Sequence, residues 1–306
     1  MSSRTWLSAL TAAVALCGCK PSDSAAQSAG APVSLLDARR GFATQLTRHD
    51  AEGYPAEPPP PQIFRLVQYS ANPALQAYVG VQPPGGGKHP AIIWLVGGFS
   101  NSISDLAWTP GPADNDQSAT AFREAGIVMM YPSLRGGNTS PSYKEGFYGE
   151  VDDVLAAAEY LSKLPYVDPQ RIYLGGHSTG GTLALLLAES TSRFRAIFSF
   201  GPVEDVTGYG TKYLPFDTHN RRERELREPG RFLQSITTPT FVFEGSGGRG
   251  NISSLRQMEK MPHSPSVHFQ AIPGADHFAT LHPMTRVIAE KILKDEGAET
   301  NIRFEP

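Results

Sequence analysis

The sequence predicts an α/β fold, a mostly parallel twisted sheet with helices on both faces. Three observations carry that expectation. Short apolar runs alternate with helix-length stretches from residue 91 to residue 294, the pattern of parallel strands joined by crossover helices. Two strand-like runs and the turn signal Pro83-Pro84-Gly85-Gly86-Gly87 lead into the first buried run, as a hairpin feeding a buried strand would. The 306 residues are 40% hydrophobic and 19% charged, enough to bury one large core, which excludes disorder as the main state.

The elements follow in order. Arg4 precedes an apolar run over residues 6–16, too short to span a bilayer but of signal-peptide length. It ends Leu16-Cys17-Gly18-Cys19, which resembles a bacterial lipoprotein lipobox, so Cys19 is expected to become the acylated first residue. The resemblance implies a lipid anchor on Cys19 in the bacterial cell envelope. Lys20 stands where an Asp would mark inner-membrane retention, which favours the outer membrane facing the periplasm in a Gram-negative cell. The expected organisation is a signal peptide over 1–18, a tether and N-terminal extension over 19–61, and a catalytic domain over 62–306. Residues 20–32 are rich in Ser, Ala, Gly and Pro, as a solvated tether is, residues 34–46 can form a short helix packed on the domain, and Pro58 to Pro61 form a stiff stretch before the first strand.

Strands are expected at 63–69, 77–81, 91–96, 127–131, 171–174, 196–200, 240–243 and 267–272. Helices are expected at 118–125, 148–164, 179–189, 221–228, 252–261 and 285–294. Ligands on such a sheet bind at the carboxyl ends of the strands, so the loops after them are where chemistry belongs.

Composition removes several mechanisms. Lys plus Arg number 27 against 30 Asp plus Glu, a formal charge of -3, so no basic field invites nucleic acid. The two cysteines, Cys17 and Cys19, lie in the first twenty residues, leaving no disulfide, zinc-thiolate or cysteine nucleophile expected in the domain.

Gly176, Ser178 and Gly180 form G-x-S-x-G between a predicted strand and a predicted helix. The glycines allow a tight turn that lifts the Ser178 hydroxyl above the sheet and turns the Thr179 N–H toward the same space, where the helix N-terminus favours an oxyanion. A serine nucleophile needs a base. His277 lies in the loop between the last strand and the last helix, whereas His49, His89, His219, His263, His268 and His282 have no such strand-end placement and His177 is the variable residue of the motif. His277 and His282 are not spaced as a metal pair, and no metal is expected.

The orienting acid is less plain. The penultimate strand continues Glu244-Gly245-Ser246-Gly247-Gly248-Arg249-Gly250-Asn251, with no aspartate in the turn. Glu244 at the strand end can reach the histidine; Asp205, after the neighbouring strand, is the second choice, and Asn251 a neutral third. The same turn satisfies G-x-G-x-x-G, but one strand and one helix after it do not make a dinucleotide-binding unit, so no cofactor is expected. Gly97-Gly98-Phe99, after strand 91–96, places the N–H of Gly98 or Phe99 as the other oxyanion donor. Arg221 with Glu225 and Arg224 with Glu228 are helix-spaced pairs expected on a solvated face.

Tyr131-Pro-Ser-Leu-Arg-Gly-Gly, Glu150-Val-Asp-Asp-Val, Tyr166-Val-Asp-Pro-Gln-Arg-Ile and Gly-Gly-His-Ser-Thr-Gly-Gly together resemble the catalytic domain of prolyl oligopeptidase-like serine peptidases, within the α/β-hydrolases, over residues 63–295. The resemblance implies Ser178 as nucleophile and His277 as base; the family's aspartate has no clean counterpart. Larger members carry a β-propeller. None is expected here, and the loop between Phe200 and Thr240 is a modest cap, which points to a stand-alone hydrolase of the dipeptidyl-aminopeptidase, acyl-peptidase or acetyl-esterase type. The expected reaction is cleavage of a peptide or ester bond in a small-molecule or peptide substrate through an acyl-serine. The alternatives are a carboxylesterase of the same fold and a non-catalytic binding protein built on it.

Overall fold

The computed structural model describes Met1 and residues 32–305. Cys17, Cys19 and the tether to residue 31 lie outside the described residues. Eight strands form one sheet: β1 (Phe64–Ala71), β2 (Ala74–Gly80), β3 (His89–Leu95), β4 (Val128–Pro132), β5 (Val167–His177), β6 (Ile197–Phe200), β7 (Thr240–Gly245) and β8 (Val267–Ile272). Their order is β1-β2-β4-β3-β5-β6-β7-β8. β1 and β2 are an antiparallel hairpin, β2 pairs antiparallel with β4, and every later pairing is parallel. The carboxyl ends of β3 to β8 therefore share one edge, as the sequence pattern requires.

Alternation along the strands sorts side chains onto two faces. Ile93, Leu95, Leu174, Ile197 and Val242 pack on α3 (Glu150–Ser162), α4 (Thr179–Ala188) and α6 (Ile252–Lys260). Their neighbours Ile92, Trp94, Tyr173, Phe198 and Phe241 face α2 (Ala121–Glu124) and α7 (Leu281–Leu293). Burying each such side chain stabilises the domain by about 1.5–3 kcal/mol. Strands covered on both faces show continuous apolar runs, and β4, β6 and β7 are buried at every position. The edge strand β8 buries only Val267.

The segment before β1 is bound to this domain. α1 (Leu35–Ala38) is capped by Ser34, whose hydroxyl accepts from the Asp37 N–H at 3.0 Å, and Leu35 is fully buried with its N–H on the Glu189 carbonyl. Arg39 forms a two-pronged pair with Asp152, the Tyr148 hydroxyl donates to the Phe42 carbonyl, and Thr44 and the Gln45 N–H donate to Glu223.

Three helices depart from the expected spans. The helix expected over 118–125 is the single turn of α2, bracketed by Ala119 (φ 46) and Gly126 (φ 79), which break helical geometry on both sides. α7 starts at Leu281 rather than 285, because Pro283 lies in its first turn, where its missing N–H costs nothing. Over 221–228 the helix is the short α5 (Arg221–Glu225). Its expected surface pairs form, Arg221 with Glu225 at 2.6 Å and Arg224 with Glu228 at 2.9 Å. Glu223 and Arg227, in contrast, are buried and paired at 2.7 Å.

Candidate active site

Ser178 joins β5 to α4 with φ 55 and ψ -116, a conformation that a non-glycine residue holds only when its surroundings enforce it. Its N–H donates to the Phe200 carbonyl at 2.7 Å and its carbonyl accepts from the Thr182 N–H at 2.8 Å. A Cβ on Gly180 would lie 2.1 Å from the Leu95 carbonyl oxygen, so glycine is required for the helix to approach β3.

The end of β6 is the shelf on which the site is assembled. Phe200 receives the Ser178 N–H, and the next residue, Gly201 (φ 58), donates its N–H to the Phe243 carbonyl at 2.7 Å. A Cβ there would fall 2.4 Å from His277 Cε1 and 2.8 Å from Glu244 Oε2, so the absent side chain is the space the histidine and carboxylate occupy. His277 Nδ1 lies 2.8 Å from Glu244 Oε2. Both are buried, His277 at 9% exposure and Glu244 at 1%. The carboxylate is held from two further sides, by the Gly245 N–H on Oε1 at 2.7 Å and the Asn251 N–H on Oε2 at 3.0 Å. A carboxylate gripping Nδ1 fixes the tautomer in which Nε2 is free to accept a proton.

Of the orienting groups weighed from the sequence, Glu244 is the one that meets His277. Asp205 corrects the second choice: its carboxylate caps the turn Val206–Tyr209 through the Thr207 N–H at 2.9 Å and faces Arg224 at 3.8 Å. Asn251 holds the frame, with its side-chain amide on the Gly201 carbonyl at 2.8 Å.

Opposite His277, Thr179 heads α4, where first-turn N–H groups have no partner inside the helix. Its hydroxyl donates to the Gly98 carbonyl, locking the Gly97-Gly98-Phe99 turn beside the helix N-terminus. Gly98 has φ 102. This turn is held from outside the motif: Glu52 accepts from the Ser100 hydroxyl at 2.8 Å, the Asn101 N–H at 3.1 Å, Ser102 and Lys144, and Lys144 also donates to the Phe99 carbonyl at 2.7 Å. Burial alone would raise the Glu52 carboxyl, yet the bonds from Lys144, Ser102 and Ser100 outweigh it and hold the group at about 2.

Two residues beside the serine escaped the sequence reading. Tyr209, from the cap, places its hydroxyl 2.6 Å from Thr182 Oγ1, in the first turn after Ser178; burial pushes the phenol well above its usual range. No motif marks it. His177 was visible but reads as filler; it is fully buried, with Nε2 3.0 Å from the His277 carbonyl. Burial, aided by the neighbouring His277, lowers its imidazole to about 3, so it stays neutral and donates to that carbonyl.

Residues 114–245 match the family model of the prolyl oligopeptidase family, Peptidase_S9. The match contains Ser178 and Glu244 and ends before His277, whose place rests on the structure. The uncharacterized peptidase YuxL of Bacillus subtilis (strain 168) is 26% identical over 187 residues, 53% of this chain and 28% of that protein. A prolyl endopeptidase of Elizabethkingia miricola is 31% identical over 103 residues, 32% of this chain and 14% of that one. The chain thus spans under a third of the length of these relatives. Among solved structures, a puromycin-hydrolyzing peptidase of Mycobacterium tuberculosis superposes with a TM-score of 0.60 at 19% identity, covering 78% of this chain and 40% of that one. Esterase 2 of Thermogutta terrifontis superposes with a TM-score of 0.57 at 20% identity, covering 80% of this chain and 99% of that one. The fold is that of the α/β-hydrolases.

Proposed function

We propose that this chain is a serine hydrolase that cleaves a peptide or ester bond through an acyl-Ser178 intermediate. The observation that carries the reading is the 2.8 Å contact of His277 Nδ1 with Glu244 Oε2 beside a serine held at positive φ. His277 Nε2 takes the Ser178 proton as Oγ bonds to the carbonyl carbon. The developing oxyanion meets the N–H of Thr179 and that of Gly98 or Phe99. On collapse the bond to the leaving group breaks, and His277 returns the proton to the departing nitrogen or oxygen. Water, deprotonated by the same nitrogen, then releases the acid and restores Ser178. Labelling with a fluorophosphonate and turnover of p-nitrophenyl acetate test this: both should vanish in Ser178→Ala while thermal unfolding is unchanged, and retained turnover would refute the assignment.

A carboxylesterase is the second reading, favoured by one observation: the Thermogutta esterase superposes on 80% of this chain with a TM-score of 0.57, beside 0.60 over 78% for the puromycin-hydrolyzing peptidase. Matched p-nitrophenyl esters and aminoacyl anilides separate the two. We also propose, from the Leu16-Cys17-Gly18-Cys19 sequence, that Cys19 carries lipid and anchors the protein in the cell envelope. Cys19→Ser should then leave an uncleaved precursor or move the protein to the soluble fraction.

A further inference from the structure

β5 ends at His177, the residue before Ser178. Side chains alternate along a strand, so His177 points to the face that carries Tyr173, Trp94 and Phe200 and that α7 covers. The turn leading into α7 holds His277. The strand's last side chain therefore lies against that turn, with the His177 and His277 rings 4.6 Å apart and the Phe278 ring 5.3 Å from His177. Two carbonyl oxygens face the His177 imidazole: that of His277 is 3.0 Å from Nε2, and Oε1 of Gln117 is 3.4 Å from Nδ1. The residue is 0% exposed, and burial, with the neighbouring His277 adding to it, keeps the ring neutral with a single proton to give. Gln117 Oε1 already accepts the Gly97 N–H at 3.1 Å, and 3.4 Å is long for a hydrogen bond. The proton therefore sits on Nε2, in a bond to the His277 carbonyl that is shielded from water.

His277 is held from several sides. Its Nδ1 donates to Glu244 Oε2 at 2.8 Å, its backbone N–H donates to the Arg249 carbonyl at 3.3 Å, and its carbonyl accepts from the Thr280 hydroxyl at 3.1 Å as well as from His177. Thr280 lies in the same turn as His277, while Glu244 and Arg249 lie in β7 and the turn after it. His177, in contrast, belongs to the element that carries Ser178 and is its neighbour in the chain. Glu244 grips the ring of the base; His177 ties the backbone under that ring to the backbone under the serine.

We infer that His177 is a positioning residue for the reaction at Ser178: its Nε2–H, acting through the His277 carbonyl, fixes the separation of nucleophile and base, while Glu244 fixes the orientation of the ring. The inference rests on the hydrolase reading of Ser178 and His277 and deepens it. His177→Gln and His177→Asn test it by reach. Both bury one side-chain amide in place of the ring, but glutamine can bring an N–H to where Nε2 stands, and asparagine ends a methylene short. Turnover of p-nitrophenyl acetate is normalised to the sites that a fluorophosphonate titrates at its end point, which cancels unfolded molecules. His177→Asn should lose about 10² in kcat per site with KM within about twofold, the cost of displacing a base by about 1 Å. His177→Gln should stay within about fivefold of the parent. A residue that serves stability alone gives another pattern, in which both variants lower the melting temperature and the number of titrated sites while kcat per site holds. Nitrogen-15 NMR of the parent supplies an arm that no variant's folding affects: the proton should reside on Nε2 of His177 between about pH 5 and pH 9. A proton on Nδ1, kcat per site in His177→Asn equal to the parent's, or an equal loss in both amide variants overturns the inference. Acetate turnover that persists in Ser178→Ala removes the hydrolase reading and the positioning with it, whereas turnover that needs Ser178 but ignores His177→Asn removes the positioning alone.

Discussion

The two halves of the candidate site are built differently. On the histidine side, Gly201, Glu244 and His277 come from the ends of three consecutive strands, β6, β7 and β8, and touch through contacts that the parallel sheet itself brings into register. On the oxyanion side, the Gly97-Gly98-Phe99 turn takes its position from Glu52, in the segment before β1, and from Lys144, in the loop before α3. Sheet order therefore sets the half proposed to transfer the proton, while a polar clamp remote in sequence sets the half proposed to receive negative charge. Breaking one should leave the other assembled.

The largest effect belongs to the histidine side. Glu244→Gln should lower kcat on the order of 10⁴, whereas Asp205→Asn should stay within about tenfold of the parent. The amide loses the charge that steadies imidazolium. It also cannot accept on both oxygens, so either its NH₂ faces the Gly245 N–H or it faces the Asn251 N–H and His277. Steady-state kinetics on one ester decide the point. If both variants remain within about tenfold, a barrier change of about 1.4 kcal/mol, the Glu244 assignment fails.

Gly201→Ala comes next, with an expected loss of about 10² to 10³ in kcat. The new Cβ would demand the space of His277 Cε1 at 2.4 Å, and alanine resists φ 58. His277 must move off the shelf, so a fluorophosphonate label should react far more slowly while the Gly97-Gly98-Phe99 turn keeps its bonds to Thr179 and Lys144. A label rate equal to the parent's would mean that the histidine does not need that shelf.

The same contrast explains what the sequence could reveal. Strands 91–96, 196–200, 240–243 and 267–272 match β3, β6, β7 and β8 closely because apolar runs between turns leave few other assignments. β5 runs from Val167, well before the expected 171, because Asp168-Pro169-Gln170 looks like a turn and yet continues the strand. Ser178 and His277 were legible from local motif and strand-end position, and Glu244 from its place at the end of β7. Asp205 looked equivalent, since nothing local shows that its carboxylate would be taken up by the Thr207 N–H and Arg224. Glu52 and Lys144 are 92 positions apart, and Arg227 and Thr44 are 183 apart. Such pairs have no periodicity, so only the folded chain displays them.

Glu52→Gln is the smallest and most specific break. It should reduce kcat by about tenfold, less than loss of an oxyanion donor outright, with KM little changed, because the amide still accepts one bond but no longer pairs with the Lys144 charge. Stability supplies an independent sign. The folded Glu52 carboxyl, at about 2, lies below its ordinary value of 4.5, so its contribution is present in full above pH about 4.5 and is lost as pH falls toward 2. The stability gap between parent and Glu52→Gln, read from urea unfolding, should accordingly be wider at pH 7 than at pH 3. A gap that is constant across that range, together with unchanged kcat, would show that the oxyanion turn stands without its clamp, and that both halves of the site are fixed by the sheet alone.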